Sequence, residues 1–534
     1  MRALCFAVLL ACAGLMAILT AVLMPKETLL PSVALLPLDS RPVNTDLPRR
    51  LAAIGGIELA LPEPELLDQF LTTSDTVGLY AWLEDEDEKA HDLTIIHMNE
   101  LIFGSLLLSR DSSQYVSVAP KLQSLYDYLL ARPHVPHSKI VLVYILPRLL
   151  PSQYDEDMWD YEKELYSLSQ LRHRLELEDE EPEIRRELSI EISALEEAIP
   201  RQILSRYETV FVQAFNTAKS MLDWADAGLI DEAVIGLDDS AEYGANVKVY
   251  EELRALAAQR GLEGAYFLNG ADELAPLIIA RHCLDITGSG AADGFSLRYL
   301  SEGQGSELLP YEAITLEANF TEKRDYLYGQ DLLYGGKGDT LPKHIYVFSE
   351  REEDSGQLKG VWERLRDDDA RPSSALVGLV DIAKVNGAWA PLIESIGADK
   401  VYTYVDAYAG WNTAGNSLGT VMAQLAFLEA ARGFGGQQQR AAYAQHENLQ
   451  KLRLIDDYFF QSVVRQQFID WSYSEGFHYL TFGGRWMEAN EKLTTMMDEV
   501  LEPWSALQPE PKPIYSFPWP RSFEIRVEIR YDNE

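Results

Sequence analysis

The chain is poor in cysteine, in basic residues and in histidine, and each shortage removes a class of function. Of three cysteines, Cys5 and Cys12 sit inside an apolar amino-terminal run, so Cys283 stands alone in the remainder. No intramolecular disulfide can form there. Within Ile278-Ile279-Ala280-Arg281-His282-Cys283-Leu284 that thiol reads as part of a buried helix end rather than as a nucleophile. Lys and Arg total 46 against 84 Asp and Glu, a net charge of −38 at pH 7. A field of that sign repels phosphate backbones and anionic lipid, which argues against nucleic-acid partners. The nine histidines form no His-x-x-x-His and the cysteines no Cys-x-x-Cys, so no transition-metal site is indicated. Internal repeats and glycine-serine linkers are also missing.

What is present is an ordinary globular composition, 47% hydrophobic over 534 residues. At about 100–200 residues per domain, that length suits several domains or one elaborated fold. From Ala3 to Met24 no charged residue occurs, and Arg2 and Lys26 flank the run. It is long enough to span a bilayer and ends in Val22-Leu23-Met24-Pro25, without the small-x-small site of a cleaved signal peptide. Residues 1–30 therefore read as a membrane anchor or signal segment. The positive amino terminus stays inside and the rest lies outside the cytoplasm, or is secreted if the segment is cleaved.

Short apolar runs rich in Val, Ile and Tyr occupy 33–38, 93–97, 140–146, 233–237, 265–268, 344–348, 375–380 and 400–405, with helical stretches between them. Strand-helix alternation of this kind predicts an α/β fold of mainly parallel strands, barrel-like or doubly wound. The expected organisation is an N-terminal α/β region over 31–300, a second over 301–425, and a helical C-terminal region over 426–534. Within the first, 155–199 is a charge-rich insertion where Leu188, Ile192, Leu195 and Ile199 recur at helical spacing after Pro182. It predicts an inserted helical hairpin. The alternating run Phe523-Glu524-Ile525-Arg526-Val527-Glu528-Ile529 predicts a final edge strand.

Most of the apolar runs lead into acids or amides, and in parallel α/β folds the carboxyl ends of the strands carry the site. Three constellations follow. The first is Asp39-Ser40-Arg41-Pro42-Val43-Asn44, an acid, a hydroxyl, a guanidinium and an amide after the first strand. Ser40 becomes a nucleophile only if a histidine such as His478 reaches it. The second is the pair of doublets Asp238-Asp239 and Asp272-Glu273, in Gly270-Ala271-Asp272-Glu273. Crowded carboxylates push one another's pKa apart, giving an acid and a base from identical groups, as glycoside cleavage requires. The competing reading is that Asp272-Glu273 merely opens the following helix. The third is Asp406 with Gly410-Trp411-Asn412-Thr413-Ala414-Gly415-Asn416, an amide-rich turn beside an aromatic, fit for a sugar subsite or an anion.

Leu38 to Asn44, Ser105 to Arg110, Leu237-Asp238-Asp239 with Glu242-Tyr243-Gly244, Gly270 to Glu273, Val385-Asn386-Gly387-Ala388 and Gly410 to Asn416 together resemble the bacterial domain-of-unknown-function family 4127. The resemblance covers nearly all of 33–530. It implies a bacterial, enzymatic protein without an established activity, cofactor or catalytic residue. The chain departs from the family pattern at Asn99-Glu100-Leu101-Ile102-Phe103-Gly104.

The resulting expectation is an extracytoplasmic hydrolase of carbohydrate or cell-wall glycan. Asp238, Asp239, Asp272 and Glu273 are the catalytic candidates. Asp39, Ser40, Arg41, Asn44, Asp406, Trp411, Asn412 and Asn416 are the substrate-binding candidates. No cofactor is expected. The alternatives are a metal-dependent ester or phosphoester hydrolase, with a divalent metal on Asp39, Asp238 and Asp239, and a non-catalytic sugar-binding envelope protein. The expected partner is a small molecule or glycan, with membrane contact through the N-terminal segment only.

Overall fold

A computed structural model describes residues 30–113, 118–133, 135–177, 181–288, 294–300, 307–329, 342–351, 353–367, 374–504, 507–509 and 512–529. Two open parallel sheets, not a closed barrel, organise the chain. The first has six strands, β1 (Ser32–Leu36), β2 (Glu58–Ala60), β3 (Leu93–His97), β4 (Lys139–Leu146), β5 (Glu232–Leu237) and β6 (Ala265–Asn269), in the order β2-β1-β3-β4-β5-β6. The second has four, β7 (Phe295–Tyr299), β8 (Lys343–Phe348), β9 (Leu376–Asp381) and β10 (Ala407–Ala409), in the order β10-β9-β8-β7. Every pairing within them is parallel. Strands such as β4 are buried along nearly their whole length, here from Ile140 to Leu146, because helices cover both faces.

One core joins the sheets. Val33, Leu35, Val143 and Val234 from the first sheet, and Ile345, Val347 and Val380 from the second, pack against the same layer of helices. The centre of that layer is Leu274–Thr287 against Ala414–Arg432, both almost wholly buried. Separate apolar clusters fill the outer faces. Residues 32–534 thus form one compact unit.

The inserted hairpin is present as Glu162–Glu176 packed on Pro182–Ala198, with Pro182 in its first turn. The helical C-terminal region ends in β11 (Ile514–Ser516) paired antiparallel with β12 (Arg526–Glu528). Cys283 is buried in its helix, and burial pushes its thiol up to about 12.

Three expectations need correction. The run 400–405 is not a strand but most of helix Ala398–Tyr404, where Ala398 and Val401, with Val405 just past its end, are buried at helical rather than alternating spacing. The strand is the shorter β10, just after it. The boundary placed at 300 also falls beyond β7, which already belongs to the second sheet. The transmembrane helix is not found: among the described residues no helix is long and apolar enough to cross a membrane. The apolar run 3–24 lies outside the described residues.

Candidate functional site

The turn after β1 reaches across the carboxyl end of the first sheet. Arg41 Nη2 lies 2.7 Å from both Asp39 Oδ2 and Asp272 Oδ1. Asn44 Nδ2 donates to Asp39 Oδ1 at 2.8 Å and to Asp272 Oδ1 at 3.0 Å. One guanidinium and one amide therefore tie the end of β1 to the end of β6, although three strands separate them in the sheet.

β5 and β6 are neighbours, with Leu237 opposite Asn269, so Asp238 and Asp239 emerge beside this knot. Asp238 pairs with Arg110, and Asp239 Oδ2 lies 3.7 Å from Arg148. Four aspartates and three arginines thus meet. Burial, then repulsion by Asp238, lifts Asp239 to about 7. Burial lifts Asp272 to about 6 against the pull of Arg41. Arg41 itself is held well above its ordinary value, because Asp272 and Asp39 outweigh the cost of its burial. The set can therefore hold a protonated and an ionised carboxyl side by side near neutrality. Its mouth is at Asp239 and Arg148, whose side chains remain 23% and 20% exposed.

Glu273 does not join them. Its side chain is fully buried, 3.2 Å from Lys323 Nζ, and accepts from Asn416 Nδ2 at 2.5 Å and from the Ala271 amide at 3.1 Å. Lys323 also donates to the Asn269 carbonyl and to Asn319 Oδ1. Two glycines make room for this. A Cβ at Gly270, whose φ is +141°, would stand 1.8 Å from Glu273 Oε1, and one at Gly419 would stand 2.3 Å from Glu273 Cγ. Glu273 is thus an interior ion-pair partner at the start of Leu274–Thr287, which corrects its placement in an acid-base pair.

The other candidates divide as well. Asn412 Nδ2 reaches Asp272 Oδ2 at 3.4 Å and Asn416 Oδ1 at 2.7 Å, so this amide joins the second sheet to the site. Asn416 faces inward. Trp411 is 8% exposed in the common core, its indole bonded to Thr420 and its face covered by Arg453, so it offers no open stacking platform. Asp406 precedes β10 and accepts from the Val377 amide at the start of β9, at the opposite end of the sheet from the site. Ser40 Oγ accepts from Trp519 Nε1 at 2.9 Å, while His478 Nδ1 is taken by the Leu480 amide at 3.1 Å. No Ser40–His478 bond forms among the described residues. Nor does any group of three His, Cys, Asp or Glu there suit a metal ion. Asp39 and Asp238, proposed as ligands, are already held by Arg41 and Arg110.

Several participants were missed. Arg110 lies inside one of the motifs that carried the family resemblance, and Arg148 directly follows an apolar run, so both were within reach. Lys323, Asn319 and Glu312, which accepts from the Gly415 amide at 2.7 Å, carried no local signal. Asp457 accepts from the Gly410 amide at 2.8 Å and from Arg453, and so fixes the turn that carries Asn412. It sits in a π-helical segment, Ile455–Val464, as Glu100 does in Asn99–Phe103. Such insertions re-aim side chains that an α-helix would place elsewhere.

The architecture is that of an α/β protein with a polar site at the carboxyl end of its larger sheet. The chain belongs to the family described as protein of unknown function DUF4127, whose model matches residues 33–528. No curated protein and no solved structure matches it. The hydrolase label is accordingly withdrawn: the family carries no described activity, and one member of the presumed acid-base pair is locked in the interior.

Proposed function

We propose that the aspartate-arginine cluster is a binding site for a small polyhydroxylated ligand of the carbohydrate class. The carrying observation is the juxtaposition of Asp239 and Asp272 from neighbouring strands, both raised toward neutrality. A protonated carboxyl donates where an ionised one accepts, and vicinal hydroxyls need both. Arg148 at the mouth and Asn412 at the rim add directional donors. Three arginines offset the aspartates, so the site suits a neutral ligand better than an anion or a bare cation.

The test is calorimetric titration of the full chain with a panel of neutral, acidic and amino sugars. Asp239→Asn is expected to weaken binding about ten- to a hundredfold, the equivalent of one charged hydrogen bond of about 1.5–3 kcal/mol. Failure of every sugar to bind, or equal binding by the variant, would overturn the reading. A chromogenic glycoside screen run alongside separates binding from turnover.

A further inference from the structure

A large cavity adjoins the β1 turn at Ser40, whose chain neighbours Asp39 and Arg41 belong to the aspartate cluster. It is a crevice of about 900 Å³ between the loop after β2 and the last strand, with Ser40, Asp68, Gln69 and Thr72 along its wall and Arg526 opposite. The crevice lies beyond the carboxyl ends of the neighbouring strands β1 and β2, the end at which open parallel sheets bind ligands.

The wall is polar and unfinished. The Ser40 amide donates to Asp68 Oδ1 at 2.7 Å, and the Asp68 amide donates to Glu100 Oε1 at 2.9 Å. Asp68, on the crevice wall, is only 2% exposed, yet its Oδ2 has no hydrogen-bond partner among the described residues. A buried polar atom left unpaired is costly, so the Asp68 carboxyl calls for a partner. Arg526 is balanced by Asp46 at 3.3 Å and donates to the Ser40 carbonyl, while Leu61, Pro62 and Pro64 line an apolar stretch. Hydroxyl and carboxyl groups beside an apolar stretch, with the lining guanidiniums of Arg49, Arg50 and Arg526 set against the carboxylates of Asp46, Glu65 and Glu528, match the two faces of a sugar ring.

Resting on the carbohydrate reading above, we infer that this crevice is a second sugar subsite, so that the ligand is an oligosaccharide reaching past Ser40 rather than a single sugar. Asp39 and Arg41, the neighbours of Ser40 in the chain, belong to the first site. The two sites are therefore one residue apart along β1's turn, about 3.8 Å between successive Cα atoms.

The experiment compares a monosaccharide with its longer oligomers on the full chain, using N-acetylglucosamine and glucose series, for the parent and for Thr72→Trp, which narrows the crevice from its exposed edge. The oligomer is expected to bind at least about tenfold tighter than the monomer. Thr72→Trp is expected to abolish that gain and leave the monomer unchanged. The indole proton of Trp519, bonded to Ser40, gives a second readout by NMR and should move with the oligomer alone. Equal affinity for both lengths, or an oligomer gain that survives Thr72→Trp, would overturn the subsite while leaving the first site intact. An indole signal unmoved by oligomer would show that the oligomer does not reach Ser40 and would overturn it too. Binding of neither length would remove both readings together.

Discussion

Two acidic doublets stand at adjacent strand ends in near-identical local settings, and they meet opposite fates. Asp238-Asp239 stays together at the surface of the site, each carboxyl facing its own arginine, Arg110 in the short turn Leu108–Arg110 and Arg148 just after β4. Asp272-Glu273 is divided: Asp272 joins the site, while Glu273 turns into the core to meet Lys323 and Asn416. Neighbouring side chains on a turn point apart, so a doublet can serve catalysis or binding with one member and architecture with the other. Which member does which is decided by distant partners. Lys323 lies in helix Leu316–Tyr328 and Asn416 in Ala414–Arg432, both from the second half of the chain.

The strongest way to break this comparison is to remove the interior partner. Lys323→Met leaves Glu273 uncompensated at zero exposure and should cost about 3–5 kcal/mol of stability. The double variant Lys323→Met/Glu273→Gln should recover much of that in urea melts. Equal destabilisation by single and double variants would show that packing, not charge, matters there. Asp272→Asn should cost less, about 1.5–3 kcal/mol, because Arg41 and Asn44 keep Asp39 as an acceptor when the charge on Asp272 is lost. A loss as large as that of the lysine variant would place Asp272 with the architecture instead.

The same contrast explains what was legible beforehand. Seven of the eight expected strands appear within a residue or two of their places, because a strand covered on both faces writes its burial as an unbroken apolar run. The eighth failed where Val401, Tyr402 and Tyr404 are β-formers by composition but helical by burial spacing. The three-residue strand β2, Glu58–Ala60, is half-exposed at the edge of its sheet and left no such run. In the site, Asp39, Arg41, Asn44, Asp238, Asp239, Asp272 and Asn412 were legible as strand-end polar residues. The inward turn of Glu273 was not, since its cause lies about 50 and 140 residues away in the chain, at Lys323 and Asn416. The burial of Trp411 was equally invisible, because Arg453, which covers its face, lies beyond one helix and at the far end of the next, Gly436–Leu454.

The surface doublet makes its own mark on pH dependence. A carboxyl whose folded pKa is about 7 rather than its ordinary 3.8 binds a proton more tightly in the folded state. Between those values the unfolded chain holds fewer protons, so stability is greatest at the acidic end and falls as pH rises toward about 7. Asp272, Asp381 and Asp457, lifted chiefly by burial, add slopes of the same sign. Each such group contributes at most about 1.4 kcal/mol per pH unit inside its window. Asp239→Asn should remove one of these slopes, and urea midpoints followed from mildly acidic to neutral pH would reveal it. An unchanged slope would mean that Asp239 titrates normally.

The smallest effect sharpens the comparison most. Arg148 is partly exposed and stands 3.7 Å from Asp239, so Arg148→Gln should change stability at neutral pH by no more than about 0.5 kcal/mol, as surface ion pairs do. Its effect on titration has a definite direction. Burial and Asp238 raise Asp239, whereas Arg148 and then Arg110 pull it down. Removing Arg148 leaves the raising influences less opposed, so the midpoint of Asp239 should move upward, followed through its side-chain carboxyl carbon by NMR. Glu273 provides the internal control, because its cation is Lys323 and no contact links it to Arg148 among those described. A shift at Asp239 with Glu273 still would confirm that the two doublets are electrostatically separate. If both carboxyls moved together, the doublets would form one coupled acidic network, and the division between site and architecture would have to be given up.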